Sequence, residues 1–86
     1  MEMQGKVVIV TGAGSGIGRS LAQRIAHNGA EAVICTDMNE ENAKETASSI
    51  GEKGVSVFLD VGDEKAIEAV VHEAESQHGR VDLFVS

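Results

Sequence analysis

Eighty-six residues with no proline, no tryptophan, no tyrosine and one cysteine leave room for one small domain or part of one. A net charge of −7 excludes nucleic acid as a partner, because gripping a phosphate backbone takes clustered Lys and Arg. The lone Cys35 excludes an internal disulfide and a multi-cysteine metal site.

No stretch approaches the roughly 20 apolar residues that cross a bilayer, so no membrane association is expected. Met1–Lys6 is polar and the apolar run after it is short, which is not the shape of a secretory signal. Cys35 lies in an apolar run, where it acts as a small buried hydrophobe. A reducing compartment, foremost the cytoplasm, is expected. The acidic residues of Glu31–Glu45 and Asp60–Glu75 read as solvated helix faces.

Lys6–Val10 is a continuous run rich in β-branched residues, as in a strand buried on both faces. A glycine-rich turn follows. Ile17–Asn28 then places Ile17, Leu21, Ala22, Ile25 and Ala26 at helical spacing, and Gly29 suits the left-handed cap position. Ala32–Thr36 is a second apolar strand. Asn39 or Asp37 can cap a helix to about Ile50 with Ala43, Ala47 and Ile50 inward, and Gly51 ends it. Val55–Leu59 is a third strand. Asp63 caps a helix to about His78, its inner face Ala66, Ile67, Val70, Val71 and Ala74, and Gly79 ends it. Val81–Val85 is a fourth strand. The order βαβαβαβ predicts an α/β fold, four parallel strands joined by three helices in right-handed crossovers.

Thr11-Gly12-Ala13-Gly14-Ser15-Gly16-Ile17-Gly18 is the segment that carries chemistry. Gly12 permits the tight turn, Gly16 lets the backbone approach a pyrophosphate, and Gly18 permits close helix packing. The N–H groups near Ser15, Gly16 and Ile17 are helix-start donors facing a phosphate. The Thr11 hydroxyl is expected to hold the turn. The spacing is T-G-x-x-x-G-x-G and not the strict G-x-G-x-x-G. Gly18-Arg19-Ser20 stands where an NTP-hydrolysing loop needs Gly-Lys and then Ser or Thr, so ATP or GTP hydrolysis is not expected.

Asp37 ends the second strand about 20 residues past the loop, where a carboxylate accepts from ribose hydroxyls. It would repel a 2′-phosphate, which favours NAD over NADP. The competing reading makes Asp37 a helix cap. Arg19 follows Gly18 directly and is expected to point along the helix to solvent instead of meeting a 2′-phosphate. Asp60 and Val61 end the third strand, where an adenine ring can be met; the competing reading is a plain turn. His72 and His78 lie six apart, on different helix faces, so no metal site is expected. No Gly-x-Ser-x-Gly elbow is present.

Together the loop, Asp37, Asp60-Val61 and Val81-Asp82-Leu83-Phe84-Val85 resemble the short-chain dehydrogenase/reductase family over essentially the whole chain. The resemblance implies a Rossmann-type doubly wound parallel sheet. It implies that Gly12, Gly16 and Gly18 shape the cofactor loop, that Ser15 and Ile17 line the pyrophosphate, and that Asp37 takes the ribose. Asp60 and Val61 would take adenine. The fourth strand of that family runs into Asn-Asn-Ala-Gly, and Ser86 stands at what looks like its first position. The family's catalytic asparagine, serine and Tyr-x-x-x-Lys lie later, so no catalytic residue is carried over. The expectation is the N-terminal, cofactor-binding part of an NAD-dependent oxidoreductase. The intact enzyme would move hydride between nicotinamide and a small alcohol or ketone, as a homo-oligomer, and the 86 residues alone would be inactive. Two other readings stand: a stand-alone nucleotide-binding or sensor module, and an α/β interaction domain without nucleotide.

Overall fold

Four apolar runs pair side by side because their backbone N–H and C=O groups, once buried, must find partners. The structure is a computed structural model that describes residues 2–86. Its elements are β1 (Val7–Val10), α1 (Gly16–His27), β2 (Ala32–Asp37), α2 (Glu40–Ile50), β3 (Gly54–Phe58), α3 (Glu64–His78) and β4 (Leu83–Val85). All strand pairs are parallel, in the order β3-β2-β1-β4. The chain moves outward from β1 to β3 and then returns to the other side of β1. In sheets with such a reversal, ligands bind beyond the carboxyl ends of the strands that flank it, here β1 and β4.

Both faces of the sheet are covered. Val8, Val10, Val33 and Cys35 point to one face and pack with Ala22 and Ile25 of α1 and Ala47 of α2. Val7, Ile9, Ala32 and Ile34 point to the other and pack with Val70 and Ala74 of α3. The alternation follows from the two-residue period of a strand. Every residue of β1 is buried, whereas β4 is an edge strand with Leu83 and Phe84 partly exposed. Cys35 is buried as expected, and desolvation raises its thiol to about 11. Among the described residues, no helix is long and apolar enough to cross a membrane.

The predicted elements are all present, with shifted ends. Asn39, not Asp37, caps α2, its side chain accepting from the Asn42 N–H at 3.0 Å. Asp63 caps α3 through the Ala66 N–H, and Gly79 ends it in the left-handed conformation. β4 begins at Leu83 rather than Val81. Asp82 explains the difference. Its N–H donates to the Val7 carbonyl at 2.9 Å, but its carboxylate Oδ2 takes the Val7 N–H at 2.8 Å, the place where a strand would offer a carbonyl. The same Oδ2 accepts from Arg80 Nε at 2.8 Å, and the Arg80 guanidinium also reaches the Gly5 carbonyl. This lock joins the start of β1 to the start of β4.

The Val7 N–H, followed by the Arg80 guanidinium, holds the Asp82 carboxyl below its ordinary range. A folded-state value below the unfolded one stabilises fully above the unfolded carboxylate value of about 4 and fades as pH falls through the folded value. The Tm deficit of Asp82→Ala relative to wild type is therefore expected to be largest near neutral pH and to shrink as pH falls below the ordinary carboxylate range. Paired thermal melts across pH check it; a deficit constant with pH contradicts it.

Candidate functional site

The carboxyl ends of β1, β2 and β3 release three segments at one edge of the sheet: the glycine loop, Asp37-Met38 and Asp60-Val61. The loop leaves β1 at Thr11 and enters α1 at Gly16. Gly16 has φ of 56°, in the left-handed region, and a Cβ built there would meet nothing within 4 Å. The position thus demands glycine for its backbone shape as well as for the open approach that the sequence suggests. Gly18 acts by contact. A Cβ there would fall on the Gly12 carbonyl, so the first turn of α1 packs against the loop itself.

The start of α1 has no side-chain cap. Ser15 occupies the N-cap with extended backbone, and its side chain makes no cap hydrogen bond. In α2 and α3, Asn39 and Asp63 fill that role. The first N–H groups of α1 therefore keep the unmet donor capacity of a helix start, and the helix dipole adds partial positive charge. Ile17 stands beside them, 87% exposed.

Asp37 is half-buried and both its carboxylate oxygens are engaged. Oδ2 accepts from the Gly14 N–H at 2.9 Å, and Oδ1 accepts from the Asn39 N–H at 2.8 Å. It is thus a turn residue and a loop anchor at once. A carboxylate offers about four lone-pair sites, so two remain for a ligand. Gly14 is held so closely that a Cβ there would lie 2.8 Å from Oδ2 and 2.7 Å from the Asn42 Cβ. Gly14 was not singled out by sequence reasoning, although a fourth glycine in the loop was the available signal.

Asp60 uses Oδ1 to accept from the Gly62 N–H at 2.9 Å, and its carbonyl accepts from the Asp63 N–H. The turn reading is therefore correct for one oxygen, while Oδ2 has no partner among the described residues. Val61 is exposed, as is Met38, and with Ile17 they give the edge an apolar lining. Met38 too was missed; an apolar residue where β2 leaves the sheet was the sign.

One expectation needs correction. The Thr11 hydroxyl does not hold the turn; it donates to the Val85 carbonyl at 3.3 Å, and the Thr11 N–H donates to the same oxygen at 2.9 Å. Arg19 stays partly in solvent, as expected, and leans toward α2. Its guanidinium reaches Glu45 of α2 at 4.0 Å, because α1 and α2 share one face of the sheet.

The pattern of the short chain dehydrogenase family matches residues 6–86. (+)-cis,trans-Nepetalactol synthase NEPS1 of Nepeta racemosa is 40% identical over 85 residues, covering 99% of this chain and 31% of its own length. 3-Oxoacyl-[acyl-carrier-protein] reductase FabG of Escherichia coli strain K12 is 37% identical over 86 residues, covering 100% of this chain and 35% of its own length. The crystal structure of 3-ketoacyl-(acyl-carrier-protein) reductase from Brucella melitensis, complexed with NADH, superposes with a TM-score of 0.89 at 37% identity. It covers 96% of this chain and 34% of that one. The chain thus spans about a third of the length of the relatives it matches.

Gly18→Ala is expected to destabilise the fold by about 1–3 kcal/mol, because the loop backbone must move to admit the methyl group. Gly16→Ala is expected to cost about 1–2 kcal/mol, through its positive φ alone. Thermal denaturation of the two variants checks this; a Gly18→Ala protein as stable as wild type contradicts the packing account.

Proposed function

The chain belongs to the short-chain dehydrogenase family, and from that premise we propose that its 86 residues form the dinucleotide-binding part of an NAD-dependent oxidoreductase. The observation that carries the proposal is the uncapped start of α1, set at the switch point of the sheet beside Asp37. A side-chain cap would take up one of the few N–H groups that a helix start leaves for a phosphate. Here the donors are free of side-chain partners, the space beside Gly16 is open, and no acidic side chain stands in the first turn.

In this reading the backbone of Ser15, Gly16 and Ile17 holds the pyrophosphate, with Gly12 and Gly18 shaping the loop around it. Asp37 accepts from the adenosine ribose with the lone pairs that Gly14 and Asn39 leave. Asp60, through the Oδ2 that has no partner among the described residues, and Val61 meet the adenine, and Met38 adds apolar surface beside them. When bound, the dinucleotide supplies the hydride donor or acceptor for a small alcohol or ketone. The acid–base group that the family resemblance assigns to tyrosine has no counterpart here, since the 86 residues contain none. We therefore assign no catalytic residue to this chain. Relatives named synthase and reductase share this segment, which supports placing the choice of substrate outside it.

The Asp37 carboxylate favours NADH over NADPH, because a 2′-phosphate beside it would set like charges together. Arg19 lies 4.0 Å from Glu45 in an exposed pair, too weak a contact to fix its guanidinium there, so the preference rests on Asp37 alone. The intact protein is expected to bind NADH at least about tenfold more tightly than NADPH, a modest fraction of what like-charge contact can cost. Asp37→Ala should weaken NADH binding and narrow the ratio toward one. Fluorescence titration with both cofactors checks it. Equal affinities in the wild type, or a ratio that Asp37→Ala leaves unchanged, contradict the ribose assignment.

A further inference from the structure

We propose that Thr46, in the middle of α2, is a positioning residue for the phosphate loop, an inference that rests on the nucleotide-binding reading above. Its hydroxyl is fully buried and donates to the Ala13 carbonyl at 2.8 Å. A buried threonine in a helix commonly bonds back to a carbonyl of its own helix, one turn earlier. Thr46 instead reaches a loop 33 residues away in sequence.

The Ala13 carbonyl and the Gly14 N–H belong to one peptide unit. That unit is planar, and its C=O and N–H point in opposite directions. Thr46 holds the C=O and Asp37 holds the N–H, so the plane is gripped from both sides. The preceding amide is held as well: the Ala13 N–H donates to the Thr36 carbonyl at 3.0 Å. The peptide therefore cannot turn without breaking a bond at each end. Everything after it in the loop, Ser15, Gly16 and Ile17, takes its direction from that plane.

Packing alone does not call for a hydroxyl at this position. Valine has the shape of threonine and would fill the same space between α2 and the sheet. It would leave the buried Ala13 carbonyl without its donor. The peptide would then rotate toward another partner, carry the Gly14 N–H away from Asp37, and tilt the N–H groups that face the pyrophosphate. Thr46 thus touches no ligand and acts through the loop. Asp37, the other grip on the peptide and the proposed ribose acceptor, is held separately by the Asn39 N–H and keeps its place without Thr46.

The test compares adenosine, ADP and NADH binding to the intact protein by calorimetry for wild type, Thr46→Val and Thr46→Ser. Adenosine reports the ribose and adenine contacts, and ADP adds the phosphates. Thr46→Val should weaken ADP and NADH by about tenfold, the scale of one buried hydrogen bond lost, while adenosine affinity changes far less. Thr46→Ser keeps the donor and should restore ADP affinity to near the wild-type value. An unchanged ADP affinity in Thr46→Val overturns the proposal. So does an equal loss for adenosine and ADP, which would make Thr46 a general support of the fold. A Thr46→Ser protein with the weak ADP affinity predicted for Thr46→Val overturns it even if the valine variant does not fold. A wild-type protein that binds none of the three ligands overturns the nucleotide reading itself, and this inference with it.

Discussion

The Asp37 carboxylate is the interaction on which the organisation of the site depends. One oxygen holds the Gly14 N–H of the loop that leaves β1, and the other holds the Asn39 N–H at the entry to α2. A single side chain at the end of β2 thereby ties together the first crossover, the second crossover and the sheet between them. Charge-assisted bonds of this kind are among the stronger hydrogen bonds available to a protein. The loop can hold its helix-start donors outward because it is restrained from beneath by Asp37, Thr46 and the Thr36 carbonyl. Close contact between Gly14 and Asp37 is possible only without a side chain at that position.

The two ends of the sheet are built differently. At the amino ends, Asp82 and Arg80 close the lock between β1 and β4, and the charges there are spent on structure. At the carboxyl ends the chain leaves donors at the start of α1, a carboxylate oxygen on Asp60, and exposed Ile17, Met38 and Val61. Polar groups left unpaired beside exposed apolar side chains make that edge suited to a ligand with both characters. A dinucleotide, with charged phosphates and flat rings, has both.

Local features of the chain were the legible ones. The apolar runs around Val7–Val10 and Ala32–Thr36 mark strands whose two faces are both buried, and helix ends announce themselves through Asn39, Asp63, Gly51 and Gly79. The loop glycines were readable because their spacing is local. What escaped depends on contacts distant in sequence. Thr46 carries no local sign of its role, since its acceptor lies 33 positions earlier. The position of Thr11 suggests a hydroxyl that holds its own turn, whereas its acceptor is the Val85 carbonyl, 74 positions on. The start of β4 moved because a carboxylate replaced a carbonyl in the ladder, a substitution no hydrophobic pattern encodes. For Asp37 the cap role falls to Asn39, while its own carboxylate anchors the loop and the turn and keeps lone pairs to spare.

The central claim is that the loop between β1 and α1 receives the phosphates of a dinucleotide. The most direct measurement is the backbone amide NMR spectrum of the isotope-labelled intact protein, titrated with ADP. The account predicts saturable shifts centred on the amides of Ser15, Gly16, Ile17 and Gly18, with smaller shifts at Asp60 and Val61. Saturation with those amides unmoved, or shifts confined to the exposed faces of α2 and α3, would contradict it.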